Sequence, residues 1–513
     1  MRRSCCPLRS SVLLLTLFVG SGCLSAGTAP LSEAEVQALI ERLRTPTASI
    51  GAWRTVGHGT MRGVPAIAWL RGDGDGRFAF ELDTPVRLAD THDGTITTKL
   101  YPWGSVLDVE GREEEMTLIP SWVLTGYWLA PTAPVTITAG AAGRRDGLVA
   151  LQVRHRDGTL PFEVLIDEKK GGPVRVQAAV GVSMTTYEMD VIRVVNSRPV
   201  PGVVRVLKGG NTLLELRFEP PSSNRGSSWP RPKQLTRSTY HPEKSAELEV
   251  RHDGNGFFFV RPVINGKRVG WFLFDTGAPA TILGKGALRT LALDRLTESD
   301  SSGVGGSATI GIHAVDTIEL GPVRMGPALL ASMDVSQLGW PNIPIAGIVG
   351  CDLIGKAVVE HDIVGRRIVF HDPAQHELPD GASWTRLVFT EGKPVVTLSL
   401  EGHRAECLVD TAASGTLSLS KPLVDRLNLL AGRSTRSSSH RGVGGSVAVQ
   451  RGALRTVELG GRRYENLDVS FAISDQGSHA HPYPDGLVGI QLLDDFRVVF
   501  DLAQRRMAFV PRE

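Results

Sequence analysis

A repeat in the C-terminal half most constrains what this 513-residue chain can fold into. Three blocks occur twice, in the same order and about 135 residues apart. The pairs are residues 272–278 (FLFDTGA) with 407–413 (CLVDTAA), 303–307 with 442–446 (both GVGGS), and 347–350 (GIVG) with 486–489 (GLVG). Several blocks repeated in register predict two homologous units in tandem.

Each repeat unit places an aspartate directly after an apolar strand. Upstream, two β-prone segments flank a tight turn, which is Asn265-Gly266 in the first unit and Glu401-Gly402 in the second. Asp275 and Asp410 follow the second strand of each pair. Two carboxyl groups at close range cannot both ionise easily, so the pair retains one proton. Such a pair can activate a water molecule and polarise a carbonyl group, so Asp275 and Asp410 are candidate catalytic residues if the fold brings them together.

These motifs resemble those of the retropepsin-type aspartic proteases, and the resemblance covers residues 246–513. It implies two acid-protease lobes, at residues 246–375 and 384–513, which form a pseudo-dimer within one chain. It also implies that the Thr276 and Thr411 hydroxyls lock the two aspartate loops together, and that Gly277 permits the tight turn beside the dyad. Ala412 stands where this pattern has glycine.

The two glycine-rich segments are predicted to be flap tips, which would close over a peptide or protein substrate in an extended conformation. Their identical sequences favour two similar flaps. The predicted substrate-binding residues are Gly303, Val304, Gly305 and Gly306 in the first flap and Gly442, Val443, Gly444 and Gly445 in the second.

The first 22 residues are typical of a secretory signal peptide. Three arginines precede a short apolar stretch at residues 12–20, and Gly-Ser-Gly leads to Cys23. Small residues before a cysteine resemble the lipobox of bacterial lipoproteins, which predicts a lipid on Cys23. That lipid would anchor the protein in the bacterial cell envelope, facing the periplasm or the surface. The alternative is cleavage nearby and secretion.

Between the signal and the repeat, the pattern predicts one β-rich domain over residues 31–220. Residues 31–43 form an amphipathic helix, and alternating segments separated by glycine-containing turns predict an antiparallel meander. This order weakly resembles half-barrel carriers and sensors of the LolA/LolB type, and any other β-rich domain is an equal alternative. Residues 221–245 are rich in proline and serine, which predicts a linker. The predicted fold class is therefore mainly β.

Charge composition excludes one class of partner. The chain has 56 basic and 54 acidic residues, and no basic stripe marks a nucleic-acid surface. No histidine, cysteine or carboxylate cluster has metal-ligand spacing, so neither metal nor cofactor is expected. Since both aspartates lie in one chain, a monomeric pseudo-dimer is expected.

The leading hypothesis is an aspartic endopeptidase of the cell envelope. One alternative is a protease fold weakened by Ala412 that binds peptides without cutting them. The other is a lipid or lipoprotein carrier or sensor that acts through the N-terminal domain.

Overall fold

The computed structural model describes residues 31–44, 51–145, 147–178, 185–190, 192–195, 198–208, 210–223, 229, 231–338, 343–481 and 483–512. The predicted signal peptide and Cys23 lie outside the described residues. Within them, no helix has the length and apolar character that crossing a membrane requires.

Among the described residues of the N-terminal domain, fourteen strands form one antiparallel sheet. Thirteen of them lie in the order Val106–Val109, Thr97–Leu100, Leu88–His92, Phe78–Asp83, Val64–Gly72, Trp53–Met61, Asn211–Phe218, Val203–Lys208, Thr185–Met189, Gly172–Ala178, Phe162–Asp167, Leu148–His155 and Val135–Arg145. Ser222–Ser223 adds to Trp53–Met61, and Ile192–Val195 pairs separately with Arg198–Pro201. The meander predicted from the sequence is therefore present.

Two helices pack against this sheet. Helix Glu33–Leu43 begins with a capping box between Ser32 and Glu35, and its apolar side joins the domain core. Helix Gly111–Thr125 connects the two edge strands of the sheet and contacts strands from both halves. A short 3₁₀ helix, Tyr127–Leu129, follows it. Packing of one helix against both halves of a long sheet buries an apolar core between them.

Each protease-like lobe contains an eight-stranded sheet, and the strand order is the same in both. In lobe 1 the order is Val250–His252, Phe258–Val260, Trp271–Phe274, Ile345–Val349, Ile282–Leu283, Ala328–Ser332, Gly306–Val315 and Thr297–Gly303. In lobe 2 it is Val388–Thr390, Lys393–Leu400, His403–Val409, Gly486–Val488, Leu417–Leu419, Arg462–Ala472, Gly445–Leu459 and Arg436–Gly442. The repeated sequence thus folds into a repeated structure.

Two five-stranded sheets complete this half of the chain. One belongs to lobe 1 and runs Ser238–Tyr240, Val323–Met325, Ile318–Leu320, Val263–Ile264 and Lys267–Arg268. Its first strand comes from the segment predicted as a linker. The other is shared between lobes and runs Arg367–His371, Val358–Asp362, Phe496–Asp501, Arg506–Pro511 and Trp384–Arg386. Backbone hydrogen bonds therefore join the lobes.

Short helices lie at the ends of several strands in the lobes. They are Lys285–Leu291, Cys351–Ile354, Lys421–Arg426 and Ile490–Leu493, with 3₁₀ turns at Val335–Leu338 and Ser478–Ala480. One apolar core runs through both lobes without interruption. The mainly β fold predicted from the sequence, with two tandem lobes behind an antiparallel domain, is confirmed.

Candidate active site

The two aspartates predicted as a pair come together where the lobes meet. Asp275 follows the buried strand Trp271–Phe274, and Asp410 follows the equivalent strand His403–Val409. Each strand is the third of its sheet, so the pseudo-symmetry of the lobes brings their carboxyl ends to the same place. The two carboxyl groups lie close enough to change each other's pKa.

The threonines that follow the aspartates tie the two loops together. The Thr276 N–H donates to Thr411 Oγ1 and the Thr411 N–H donates to Thr276 Oγ1, both at 3.1 Å. Each hydroxyl also donates across the interface, from Thr276 to the Val409 carbonyl at 2.7 Å and from Thr411 to the Phe274 carbonyl at 3.0 Å. Both threonines are buried. Four reciprocal bonds thus fix the separation of the aspartate loops.

Gly277 and Ala412 orient the carboxylates through their backbones. The Gly277 N–H donates to Asp275 Oδ1 at 2.7 Å, and the Ala412 N–H donates to Asp410 Oδ1 at 2.8 Å. A Cβ atom built on Gly277 would lie 2.5 Å from Asp410 Oδ2, so this position has no room for a side chain. Ala412 keeps the same backbone bond as its glycine counterpart, and its methyl group therefore leaves Asp410 oriented.

Burial and proximity change the acidity of the pair. Burial, and then the neighbouring charge of Asp410, hold the pKa of Asp275 well above its usual value. Burial also raises the pKa of Asp410, and the Ala412 N–H and the Lys393 ammonium act in the opposite direction. The pair therefore tends to keep a proton at pH values where an exposed aspartate has lost it.

The glycine-rich segments form the turns of two long hairpins. In lobe 1, Gly303 pairs with Gly306 at the end of the strands Thr297–Gly303 and Gly306–Val315. In lobe 2, Gly442 pairs with Gly445 in the same way. The predicted flap tips are thus hairpin turns of the same design.

The two hairpin tips lie against each other. The Gly305 N–H donates to the Val443 carbonyl at 2.9 Å. A Cβ atom built on Gly305 would lie 2.2 Å from Gly445 N, and one built on Gly442 would lie 2.9 Å from Val304 Cβ. Glycine is needed at these positions because the two backbones approach so closely.

The repeated apolar-apolar-glycine turns pack against the aspartate loops. A Cβ atom built on Gly350 would lie 2.4 Å from the Ala280 carbonyl oxygen. A Cβ atom built on Gly489 would lie 2.6 Å from the Gly415 carbonyl oxygen. Within the described part of the chain, no three His, Cys, Asp or Glu residues are grouped to hold a metal ion.

Two residues near the pair were missed by the sequence analysis. The Lys393 ammonium acts electrostatically on Asp410, and continuing the register of the strands Lys393–Leu400 and His403–Val409 would have found it. Glu113 of the N-terminal domain accepts a hydrogen bond from the Glu391 N–H at 2.8 Å. No sequence signal points to Glu113, because the contact joins positions 278 residues apart.

A sequence profile of the family described as aspartyl protease matches residues 260–353 and again residues 396–492. No curated protein sequence matches the chain.

Solved structures that match include a retropepsin-like aspartic protease from Rickettsia conorii, at 16% identity and a TM-score of 0.20, covering 25% of this chain and 89% of that one. They also include Basic 7S globulin from soybean, at 15% identity and a TM-score of 0.33, covering 52% of this chain and 97% of that one.

Replacing Thr411 with valine tests the bonds between the loops. Thr411→Val keeps the shape of the side chain but leaves the Phe274 carbonyl and the Thr276 N–H without their buried partner. We expect the free energy of unfolding of the C-terminal half to fall by about 1–3 kcal/mol. Urea denaturation measures it, with the exposed Thr397→Val as the control. If Thr411→Val and Thr397→Val had the same urea midpoint of unfolding, the stabilising role of these bonds would be contradicted.

The raised pKa values of the aspartates predict how stability changes with pH. The pKa values of the folded pair lie above the value of about 4 for an unfolded aspartate, so the folded state binds protons more strongly. The resulting stabilisation is complete below about pH 4 and is lost as the pH rises through the raised pKa.

We therefore expect the melting temperature of wild type to fall relative to that of Asp275→Asn between pH 4 and 7. Differential scanning calorimetry at the two pH values measures this difference. The exposed Asp380→Asn should follow wild type at both pH values. A constant gap between wild type and Asp275→Asn would show that the pair does not retain a proton.

Proposed function

We propose that this chain, whose residues 260–353 and 396–492 are two tandem domains of the aspartyl protease family, is an endopeptidase that uses Asp275 and Asp410 as its catalytic pair. The profile match agrees with the family resemblance predicted from the sequence. The observation that carries the proposal is the pair of half-buried, interacting carboxyl groups at the junction of the lobes.

The proposed reaction needs one proton on the pair. The ionised carboxylate takes a proton from a water molecule, which attacks the carbonyl carbon of the peptide bond. The protonated carboxyl donates a hydrogen bond to the carbonyl oxygen and stabilises the charge that develops there. Return of a proton to the leaving nitrogen completes the hydrolysis. The titration belongs to the pair, so acid and base roles alternate between its members.

The hairpins support an extended peptide or protein as the substrate. Once the tips separate, their backbone groups can pair with a substrate strand, which is how an extended peptide commonly binds a β-protein. The tips must separate to admit a substrate, and the flap residues Gly303–Gly306 and Gly442–Gly445 then contact it. One chain supplies both aspartates and both hairpins, so the proposed active species is a monomer.

Hydrolysis is favoured over peptide binding alone. The binding-only alternative rests on Ala412, which replaces the glycine of the first repeat. Ala412 nevertheless donates the same backbone bond to Asp410 that Gly277 donates to Asp275. The substitution therefore removes no contact that the proposed chemistry requires.

Cleavage of an unstructured protein tests the proposal. We expect wild type to cut denatured casein at mildly acidic pH and Asp275→Asn to lose at least 100-fold in rate, because the pair loses an ionisable member. Mass spectrometry of the products measures the cuts. Asp380→Asn is the matched control, since it makes the same chemical change at an exposed site. Equal cleavage by Asp275→Asn, or no cleavage by wild type from pH 3 to 8, would refute the proposal.

For location, we propose that a lipid on Cys23 holds the enzyme at the bacterial envelope. The support is the sequence alone, in which a signal-like segment ends in Gly-Ser-Gly-Cys. We expect Cys23→Ser to move the protein from the membrane fraction to the soluble fraction of a bacterial host. Immunoblotting of the fractions measures this, and a soluble wild type would instead support secretion.

A further inference from the structure

The N-terminal domain is packed tightly against the protease lobes. Val86 belongs to the apolar core of the lobes and Leu107 packs against it. The carboxylate of Glu110 forms ion pairs with Arg386 and Arg505 of lobe 2. This interface combines apolar burial with charge pairs, which is the composition of a stable domain contact.

The interface reaches a hairpin of lobe 2 that adjoins the catalytic pair. This hairpin turns at Glu391-Gly392, between the strands Val388–Thr390 and Lys393–Leu400. A Cβ atom built on Gly392 would lie 3.6 Å from Pro279 in the aspartate loop of lobe 1 and 3.5 Å from Trp103 of the N-terminal domain. The buried Gly392 of this turn therefore lies between the N-terminal domain and the catalytic loop.

Strand register places Lys393 opposite Asp410. The antiparallel ladder ends at the pair Val395–Leu408, and continuing its register by two residues sets Lys393 opposite Asp410. In lobe 1 the same count sets Phe257 opposite Asp275, because Phe259 pairs with Leu273. Paired residues in a ladder project to the same side of the sheet. One aspartate therefore faces a cation, and the other an aromatic ring.

The two hairpins are capped in different ways. In lobe 1, the Asp253 carboxylate accepts bonds from the N–H groups of Asn255 at 2.8 Å and Phe257 at 3.2 Å. By strand pairing, the residue of lobe 2 that corresponds to Asp253 is Thr390, and a threonine has no carboxylate. The carboxylate at the lobe 2 hairpin comes instead from Glu113, which accepts the Glu391 N–H at 2.8 Å.

The lobe 2 turn needs support from outside. Glu391 and Gly392 have φ values of 50° and 81°, and a glutamate in this left-handed region is disfavoured. In such a two-residue turn, the N–H of the first turn residue points away from the hairpin. Glu113 satisfies that group from a buried position, where Tyr101 donates its hydroxyl to the other carboxylate oxygen. The side chain of Glu113 is thereby fixed in place.

We propose that Glu113 is a positioning residue for the catalytic pair: it fixes the lobe 2 hairpin and so holds Lys393 opposite Asp410. The inference rests on the proposed function of the pair. The ammonium group favours the ionised form of the carboxylate that it faces. The N-terminal domain is then part of the working protease, since it helps to set the pH at which the pair becomes active.

Several other groups face the Lys393 ammonium. Glu391 of its own hairpin pairs with it at 2.9 Å. The remaining groups come from four other elements, and they are Glu113, Asp410, Cys351 and His481. The net effect on the pair therefore depends on where the hairpin holds the lysine.

The test uses the full chain with Glu113→Leu and Lys393→Met. We expect the acidic limb of the pH profile of kcat/KM for peptide cleavage to move upward by about one pH unit in both variants, since each removes or displaces the cation. Glu113→Gln keeps an acceptor oxygen and should retain the wild-type profile. Glu110→Leu removes a carboxylate from the same interface, and Lys267→Met removes an exposed lysine in lobe 1. We expect neither Glu110→Leu nor Lys267→Met to shift the acidic limb of the pH profile.

Hydrogen exchange provides a readout that needs no activity. We expect the amides of residues 388–396 to exchange about tenfold faster in Glu113→Leu than in wild type, which corresponds to the loss of one hydrogen bond. If Glu113→Leu does not fold, Glu113→Asp makes the same prediction, because its carboxylate is shorter by one methylene.

Unchanged exchange in a folded Glu113 variant would overturn the proposal. The proposal would also be overturned if the acidic limb of the pH profile moved in Lys393→Met but stayed in place in Glu113→Leu. If wild type cuts no peptide, the proposed function fails, and exchange alone then decides whether Glu113 fixes the hairpin.

Discussion

Two half-buried carboxyl groups at close range repel each other as soon as both ionise, and the architecture of the C-terminal half serves to hold them together. Four hydrogen bonds between Thr276, Thr411 and the opposite strands set the spacing. The strands that carry the aspartates are the third of eight in each sheet. The shared five-stranded sheet then prevents the lobes from moving apart. A proton on the pair removes the repulsion, so structure and acidity depend on each other.

Much of this arrangement could be predicted from the sequence, because a duplication shows which positions of the two copies correspond. Asp275 and Asp410 occupy equal positions in two copies, and equal folds that meet on a pseudo-twofold axis bring equal positions together. The glycine tips were predictable for the same reason. The close approach of Gly305 to Gly445 explains why glycine is present at all.

Other contacts could not be predicted, because they join parts of the chain that share no pattern. Glu113 lies on a helix of the N-terminal domain, and nothing in its neighbourhood indicates a partner at Glu391. The Ser238–Tyr240 strand comes from a proline- and serine-rich segment, yet it pairs with Val323–Met325 because that sheet has an open edge there. Such contacts depend on how finished domains fit together, which local periodicity does not record.

The tandem arrangement has a consequence for how the two halves can change. In a dimer of identical subunits, any substitution appears twice, so a change that suits one side of the cleft is imposed on the other. Here the two sides of the cleft are encoded separately, so each can be substituted independently of the other. Lys393 can stand opposite one aspartate while Phe257 stands opposite its twin, and Ala412 can replace glycine in one loop only. Fusion of the two units therefore permits an asymmetric site, with different electrostatics and different substrate contacts at its two ends.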